Sequence, residues 1–215
     1  MNQAQSKMQN TLRTALLAIL TLVFGGLALS PAVAAPQPDA IPSRWEFDLR
    51  PGPLRITTVE VEGVGARAFF YMPYYVENNS GEDRFLAPRF ELATEEGEVI
   101  RSGGSKVPRA VTRAVIARFQ NELLEDEISM LGPILQGPEN AREGVVIWPA
   151  NDLKVDEVTV YASGFSGETK QFVRPDNGEI VVLRKTRMLR HATPGNIDPT
   201  TDQPFRRTVD RWIMR

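Results

Sequence analysis

The stretch ARAFFYMPYYVENNSGEDRFLAPRFELATEEGEVI, residues Ala66 to Ile100, decides the fold of this chain. It contains two apolar segments, Ala66 to Val76 and Phe85 to Ala93, separated by the polar break Asn78 to Asp83. A second polar break, Glu95 to Gly97, precedes the apolar end of the stretch. Asn and Gly tolerate the positive φ values that tight reversals need. The stretch therefore predicts a β-meander with a turn at each break.

The first apolar segment is apolar on both sides of the chain. One set of alternating side chains consists of Ala68, Phe70, Met72, Tyr74 and Val76, and the other includes Phe69, Tyr71 and Tyr75. Successive side chains of a strand point to opposite faces of the sheet, so a strand with one solvated face would alternate apolar and polar residues. We therefore expect a central strand that is covered on both faces.

The composition of the 215-residue chain is that of a globular protein, with 42% hydrophobic and 24% charged residues. The formal net charge of -2 gives no overall attraction to nucleic acid or to anionic membranes. The chain contains no cysteine, which excludes disulfides, thiolate catalysis, cysteine-ligated zinc and a lipoprotein anchor. The core alone must therefore stabilise the fold.

Residues Met1 to Ala34 have the three parts of a secretory signal peptide. Lys7 and Arg13 supply the positive charge, Ala15 to Leu29 form an apolar run, and Ser30 to Ala34 offer small residues for cleavage. The alternative is an uncleaved anchor, but the run is short for a bilayer span of about 20 residues. We expect an exported protein, periplasmic or extracellular, without a stable membrane span once the signal is removed.

The rest of the chain predicts a mainly β domain. After a proline-rich linker at residues 35–43, strand-like segments recur roughly every ten residues between Gly and Pro turns. This spacing favours an antiparallel β-sandwich over residues 44–190, followed by a basic C-terminal extension at residues 191–215. An α/β fold would need several helices between the strands, and the pattern indicates a single helical insert at residues 107–128.

The insert has the spacing of an amphipathic helix, because Val111, Val115, Phe119 and Leu123 recur every four residues. A break near Gln120 would divide it into two helices. Basic residues, among them Arg109 and Arg113, crowd its first half, and acidic residues crowd its second half. The insert is therefore either a solvated face with one local Arg118–Glu122 pair or a bipolar surface that docks a partner.

Several short motifs carry a family resemblance. They are the turn at Val76 to Gly81 (VENNSG), Phe85 to Pro88 (FLAP) with Phe90 to Leu92 (FEL), the turn at Glu95 to Glu98, Arg142 to Val146 (REGVV) and Val158 to Tyr161 (VTVY). In this order they resemble the immunoglobulin-like domains of unknown function found in bacterial envelope and secreted proteins. The resemblance covers about Leu54 to Ser166 and implies a sandwich in which the Asn-Asn turn joins two strands. It also implies an envelope location, and it implies no activity. The helical insert, the basic tail and the missing anchoring cysteine depart from that pattern.

No catalytic or metal-binding constellation is found in the sequence. Gly164 to Gly167 (GFSG) lacks the spacing and the strand-to-helix context of a nucleophile elbow. His191 is the only histidine, so we expect it to be a solvated side chain beside Arg190 rather than a triad member or a metal ligand. We predict a protein that is not an enzyme and that needs no cofactor and no metal.

Two groups of residues are candidates for binding. The region from Arg174 to Arg215 holds nine basic and five acidic residues, a local charge of +4, which either docks on its own acidic body or binds a partner. With the helical arginines, the predicted binding residues are Arg109, Arg113, Arg187, Arg190, Arg207, Arg211 and Trp212. The partner would be an envelope protein or an anionic polymer, and not nucleic acid. Alternatively, Tyr71 and Tyr75 stack on a carbohydrate or another envelope polymer, although core packing also explains them.

Overall fold

The structure, a computed structural model, describes residues 35–215, so the predicted signal peptide at Met1 to Ala34 lies outside the described residues. Within residues 35–215 the fold is mainly β with one α-helix. In chain order the elements are β1 (Asp48–Pro51), β2 (Arg55–Val61), β3 (Gly65–Glu77), β4 (Arg84–Leu86), β5 (Arg89–Thr94), β6 (Val99–Arg101), α1 (Arg109–Ala117), β7 (Leu124–Glu125), β8 (Gly132–Ile134), β9 (Arg142–Pro149), β10 (Glu157–Ser163), β11 (Thr169–Val173), β12 (Ile180–Ala192) and β13 (Arg206–Met214). Short 3-10 turns lie at Gly104–Lys106 and Pro138–Asn140.

The first sheet has five strands and is built around β3. One edge of β3 pairs with β2 along its first half and with β1 along its second half, and the other edge pairs with β9. These pairings are antiparallel, and β7 adds a short parallel pairing to β9. The expectation that the first apolar segment forms a central strand is confirmed.

The second sheet has six strands in the order β11-β12-β10-β5-β6, and β13 pairs with β12. All of its pairings are antiparallel. The long strand β12 connects the parts of this sheet. Its first part pairs with β11, and its second part lies between β10 and β13. Strands β4 and β8 form a separate two-stranded sheet.

The two large sheets share one hydrophobic core. Inward-facing side chains of the first sheet, among them Phe70, Met72 and Trp148, pack in the same cluster as Phe90 and Val160 of the second sheet. All five are almost completely buried. At about 1.5 to 3 kcal/mol for each large apolar side chain, this shared core is the main source of stability in a chain without disulfides.

A second cluster covers the outer face of β3. Phe69 and Tyr71 pack there against Val111 and Val115 of α1 and against Ile147 of β9. Apolar side chains on both sides of β3 are thus buried, one set between the sheets and the other set beneath the helix. This arrangement explains why neither parity of the strand is polar.

The predicted meander is correct at its second corner and wrong at its first. Strands β5 and β6 pair as a hairpin, with Leu92 opposite Ile100. The segment from Phe85 to Ala93 is divided between β4 and β5, and β5 pairs with β10 in the other sheet instead of with β3. Asn78 is fully buried in the crossing, where its side-chain amide donates hydrogen bonds to the carbonyls of Ile134 and Glu82. The break therefore carries the chain from one sheet to the other.

The helix is shorter than the predicted insert at residues 107–128. It ends at Ala117, and Gln120 adopts a left-handed φ of 50°, which no helix interior accepts. Leu124 then enters the first sheet beside β9, and Leu123 is exposed. The predicted Arg118–Glu122 pair is replaced by an ion pair between Arg118 and Asp202, 3.1 Å apart.

The C-terminal segment is part of the second sheet. Arg206–Met214 forms β13 and pairs with β12 along its second half, with a register shift at Arg190 and His191. The residues expected to form an extension at 191–215 therefore supply the end of one strand and the whole of another. The strand β13 thus pairs within the domain, and the choice between self-docking and partner binding for the basic region stays a prediction.

Candidate functional site

An open cleft of about 420 Å³ lies between β1 of the first sheet and the pair β12–β13 of the second sheet. Its charged side chains are Glu46, Asp48, Arg50, Arg187, Arg207 and Asp210, and the rest of its lining is apolar, with Trp212 on β13. Three of the predicted binding residues, Arg187, Arg207 and Trp212, thus come together in one place. The cleft exists because β1 and β13 are edge strands that no backbone hydrogen bond joins.

Asp210 pairs with two of the cleft arginines. Its carboxylate accepts a hydrogen bond from Arg187 Nε on one oxygen, and its other oxygen lies 3.0 Å from Arg207 Nη1. The Arg187 guanidinium also stacks over the Trp212 ring at 5.3 Å. These contacts hold the positive charges in a fixed arrangement within the protein.

Arg207 connects the two sheets. Its Nη2 atom donates hydrogen bonds to the carbonyl oxygens of Pro51 and Gly52, at 3.0 and 2.5 Å, at the end of β1. Charge-assisted hydrogen bonds of this kind are among the stronger ones in proteins. Arg207 therefore closes the end of the cleft, and an anionic ligand would have to compete with these contacts.

A buried ionic cluster adjoins the cleft. Lys185 is only 3% exposed, and its ammonium lies 2.8 Å from Glu46 Oε2 and 3.0 Å from Glu168 Oε2. Glu168 is equally buried, and it also accepts a hydrogen bond from the backbone N–H of Asp39. Burial by itself would lower the pKa of Lys185, but its two carboxylate partners raise the pKa overall. Lys185 therefore stays protonated and is not a nucleophile.

His191 is placed differently from its prediction as a solvated side chain. It is fully buried, opposite Val158 on one side and Arg207 on the other, and neither ring nitrogen has a hydrogen-bond partner among residues 35–215. Burial, with a smaller contribution from the nearby Arg207 charge, lowers its pKa to about 4. His191 is thus a neutral core side chain at physiological pH. The charged residues beside it in the sequence had indicated a solvated position instead.

The remaining basic candidates lie away from the cleft. Side chains alternate along β12 and β13, so Arg190 and Arg211 point to the opposite face of the second sheet, and Arg190 pairs there with Glu157 at 3.1 Å. Arg109 and Arg113 are exposed on α1, and no carboxylate of residues 35–215 lies within ion-pair distance of either. A binding role for these two arginines stays a prediction.

The two tyrosines of the alternative carbohydrate site differ in exposure. Tyr71 is 2% exposed and packs edge-to-face with Phe119 at 5.8 Å. Its hydroxyl donates a hydrogen bond to Asp202, and burial together with this bond raises its pKa to about 12. Tyr75 is partly exposed, under the Arg50 guanidinium. The structure therefore places Tyr71 in the second core cluster, where it offers no open ring for stacking.

An exposed apolar surface, which the sequence reading missed, lies on the small sheet of β4 and β8. Phe85 is 66% exposed and lies opposite Pro133, while Leu131 and Leu135 follow the same side of the chain. The other side of this sheet, with Leu86 and Ile134, is buried in the main core. We call the four outward residues, Phe85, Leu131, Pro133 and Leu135, the apolar patch. No pattern in the sequence marks this patch, because Met130 to Leu135 contains no polar side chain and only the pairing of β4 with β8 brings Phe85 beside Pro133.

The chain segment that carries Leu131, Pro133 and Leu135 is acidic. From Phe119 to Asn140 the chain contains five carboxylates and no lysine or arginine. Glu125 is paired with Arg142, and Asp126 accepts a hydrogen bond from the backbone of Ser129, but Glu122 and Glu139 have no ion-pair partner among residues 35–215. An apolar surface on an acidic segment is suited to a partner that carries both apolar and basic side chains.

In the described part of the chain, no helix is long and apolar enough to cross a membrane. No group of three or more His, Asp or Glu side chains that could hold a metal ion is found in residues 35–215. No family model, no curated protein and no solved structure matches the chain.

Proposed function

We propose that this protein is an exported, non-enzymatic interaction module of the cell envelope and that its apolar patch is the docking surface. The observation that carries the proposal is the exposure of Phe85, Leu131, Pro133 and Leu135 on one face of a sheet whose other face is core. Monomeric proteins bury most side chains of this size, and a contiguous exposed group of them marks an interaction site.

The charge of the segment that carries most of the patch suggests which partner fits. The acidic segment from Phe119 to Asn140 favours an envelope protein that presents an apolar segment with lysine or arginine beside it. An anionic polymer is disfavoured at this surface because the carboxylates would repel it. It is also disfavoured at the cleft, since Arg187 and Arg207 are already held by Asp210.

The proposed fold of the module is an immunoglobulin-like sandwich. Two antiparallel sheets that share one core, and a chain that crosses between them at the Asn78 turn, support this proposal. The predicted signal peptide supports an envelope location. The parallel β7–β9 pairing and the added strand β13 would be elaborations of the basic sandwich.

The proposal is tested by crosslinked capture from envelope extract with tagged residues 35–215. We expect a stoichiometric partner protein whose capture is lost in Phe85→Ser and falls as salt is raised, because the contact combines apolar burial with charge. The matched control is Val64→Ser, since Val64 is an equally exposed apolar residue in the turn between β2 and β3.

Two results would contradict the proposal. One is a partner that both variants retain, which would place the contact elsewhere. The other is the absence of any stoichiometric partner for the unaltered protein. Circular dichroism of each variant separates loss of binding from loss of fold.

A further inference from the structure

The hairpin formed by β11 and the first part of β12, residues 169–184, projects from the second sheet as an arm. Its strands pair only with each other up to Arg184, where the backbone of Arg215 joins β12. The arm is apolar on both faces: Phe172, Val173, Ile180, Val181, Val182 and Leu183. Ile180 is 63% exposed, and none of the six belongs to either core cluster of the described chain.

The free edge of β11 can be located from its hydrogen bonds. The carbonyl of Glu168 bonds to Lys185 of β12 and the N–H of Arg174 bonds to Glu179 just before it, so the alternation of a strand directs the backbone groups of Lys170 and Phe172 the same way. The N–H and C=O groups of Thr169, Gln171 and Val173 therefore point outward. Among residues 35–215 none of these outward groups bonds to another backbone segment.

Two other edges of this sheet are protected in the usual ways, and the outer edge of β12 before Arg184 is unpaired but offers only the N–H and C=O groups of Ile180 and Val182. The edge strand β6 has three residues, and β13 carries four charged side chains in nine residues, two of which point inward to the cleft. Short length and inward-pointing charge both prevent strand addition. β11 has neither protection. It is longer than β6, and its single charged side chain, Lys170, is already paired with Asp39 at 2.7 Å and therefore does not oppose strand addition.

The outward groups of β11 are self-complementary. In an antiparallel pairing centred on Gln171, Thr169 of one copy faces Val173 of the other, and all of the outward N–H and C=O groups find partners. The charges permit this, since Arg174 at the tip of the arm is already paired with Asp176 at 3.0 Å and with Glu179 at 3.7 Å. Two arms can therefore meet without placing unpaired like charges together.

From this geometry we infer that the occupant of the β11 edge is a second copy of the same chain. Two arms join about a two-fold axis at Gln171 and form a continuous four-stranded sheet, β12-β11-β11-β12. The exposed faces with Val173, Ile180 and Val182 then lie side by side across the axis. This surface is separate from the apolar patch, so the inference does not depend on the proposed function.

The test is a charge exchange at the axis, followed by sedimentation velocity on residues 35–215. Gln171 is exposed, and Gln171→Lys places two lysines opposite each other in the dimer, as Gln171→Glu places two glutamates. We expect the unaltered protein to dimerise reversibly and each variant to dimerise about tenfold more weakly or worse. An equimolar mixture of the two variants should recover a one-to-one dimer, because lysine then faces glutamate.

Thr208→Lys on the edge of β13 is the matched control and should dimerise like the unaltered protein. A monomeric unaltered protein at submillimolar concentration would overturn the inference. Variants that dimerise normally, or a mixture that stays monomeric although each variant has the circular dichroism of the unaltered protein, would also overturn it.

Discussion

At the scale of single residues, His191 makes the stability of the fold depend on pH. Burial lowers its pKa to about 4 from an ordinary value of 6.5, so the unfolded chain binds a proton between these pH values and the folded chain does not. The contribution of the neutral, buried histidine to the free energy of unfolding is fully present above pH 6.5. It falls by about 3 kcal/mol as the pH drops to 4. Arg207 and Asp210 are the charged groups that act on this ring.

The measurement is urea unfolding of the unaltered protein and of His191→Leu at pH 7 and at pH 4.5. Between the two pH values the free energy of unfolding should fall by about 2 to 3 kcal/mol less in the variant than in the unaltered protein. Carboxylates titrate in both proteins, so the difference between them isolates the histidine. Equal losses would show that His191 is accessible to protons in the native state.

Lys185 is the second residue whose role can be tested alone. In Lys185→Met the buried Glu168 carboxylate keeps only Lys170 as a distant partner, at 3.7 Å. We expect the free energy of unfolding to fall by about 3 kcal/mol or more. Replacing the exposed neighbour, Arg184→Met, should change the free energy of unfolding by less than about 0.5 kcal/mol. The double variant Lys185→Met with Glu168→Gln should recover part of the loss, and no recovery would contradict the buried pair.

At the scale of elements, α1 acts as a cover for the outer face of β3. Val111 is fully buried against the cluster that contains Phe69 and Tyr71, so Val111→Ala should cost about 2 kcal/mol. Arg113→Ala, on the exposed side of the same helix, should cost less than about 0.5 kcal/mol. Chemical denaturation of both variants checks this, and similar costs for the two would show that the helix is not packed as described.

The element scale also shows what the sequence could predict. Strict alternation and Gly or Asn turns located most strands, and the two-sided apolar character of Ala66 to Val76 correctly predicted a central strand. Sheet membership was not predictable, because the Asn78 turn looks the same whether it closes a hairpin or crosses between sheets. The helix was overextended because Phe119 and Leu123 continue the four-residue spacing past Ala117, where the helix ends, and across the left-handed Gln120.

At the scale of the whole molecule, the C-terminal strand completes the domain. Deleting residues 206–215 removes Trp212, which packs against the core. It also removes the strand that pairs with His191 and Leu189 of β12. We expect this deletion to abolish the cooperative thermal transition, whereas Arg211→Ala should retain it. A truncated chain that still melts cooperatively would show that the segment is an appendage.

The same scale explains why the candidate site was predicted only in part. Clusters of arginine in the sequence indicated binding residues, and the fold does gather Arg187, Arg207 and Trp212 in one cleft. The two guanidinium groups are already bound by Asp210 and by the carbonyls of Pro51 and Gly52, and Pro51 and Gly52 come from a distant part of the chain. The apolar patch went unnoticed because Phe85 and Pro133 are neighbours only through the pairing of β4 with β8.

Site-specific photo-crosslinking in the source cell tests most directly the claim that this protein docks a partner through its apolar patch. A photoreactive phenylalanine analogue is placed at position 85, at position 64 as the exposed apolar control, and at position 211 on the outer face of the basic strand. We predict one discrete protein adduct at position 85 and none at the other two positions. An adduct at position 211 alone, or none at position 85, would contradict the account.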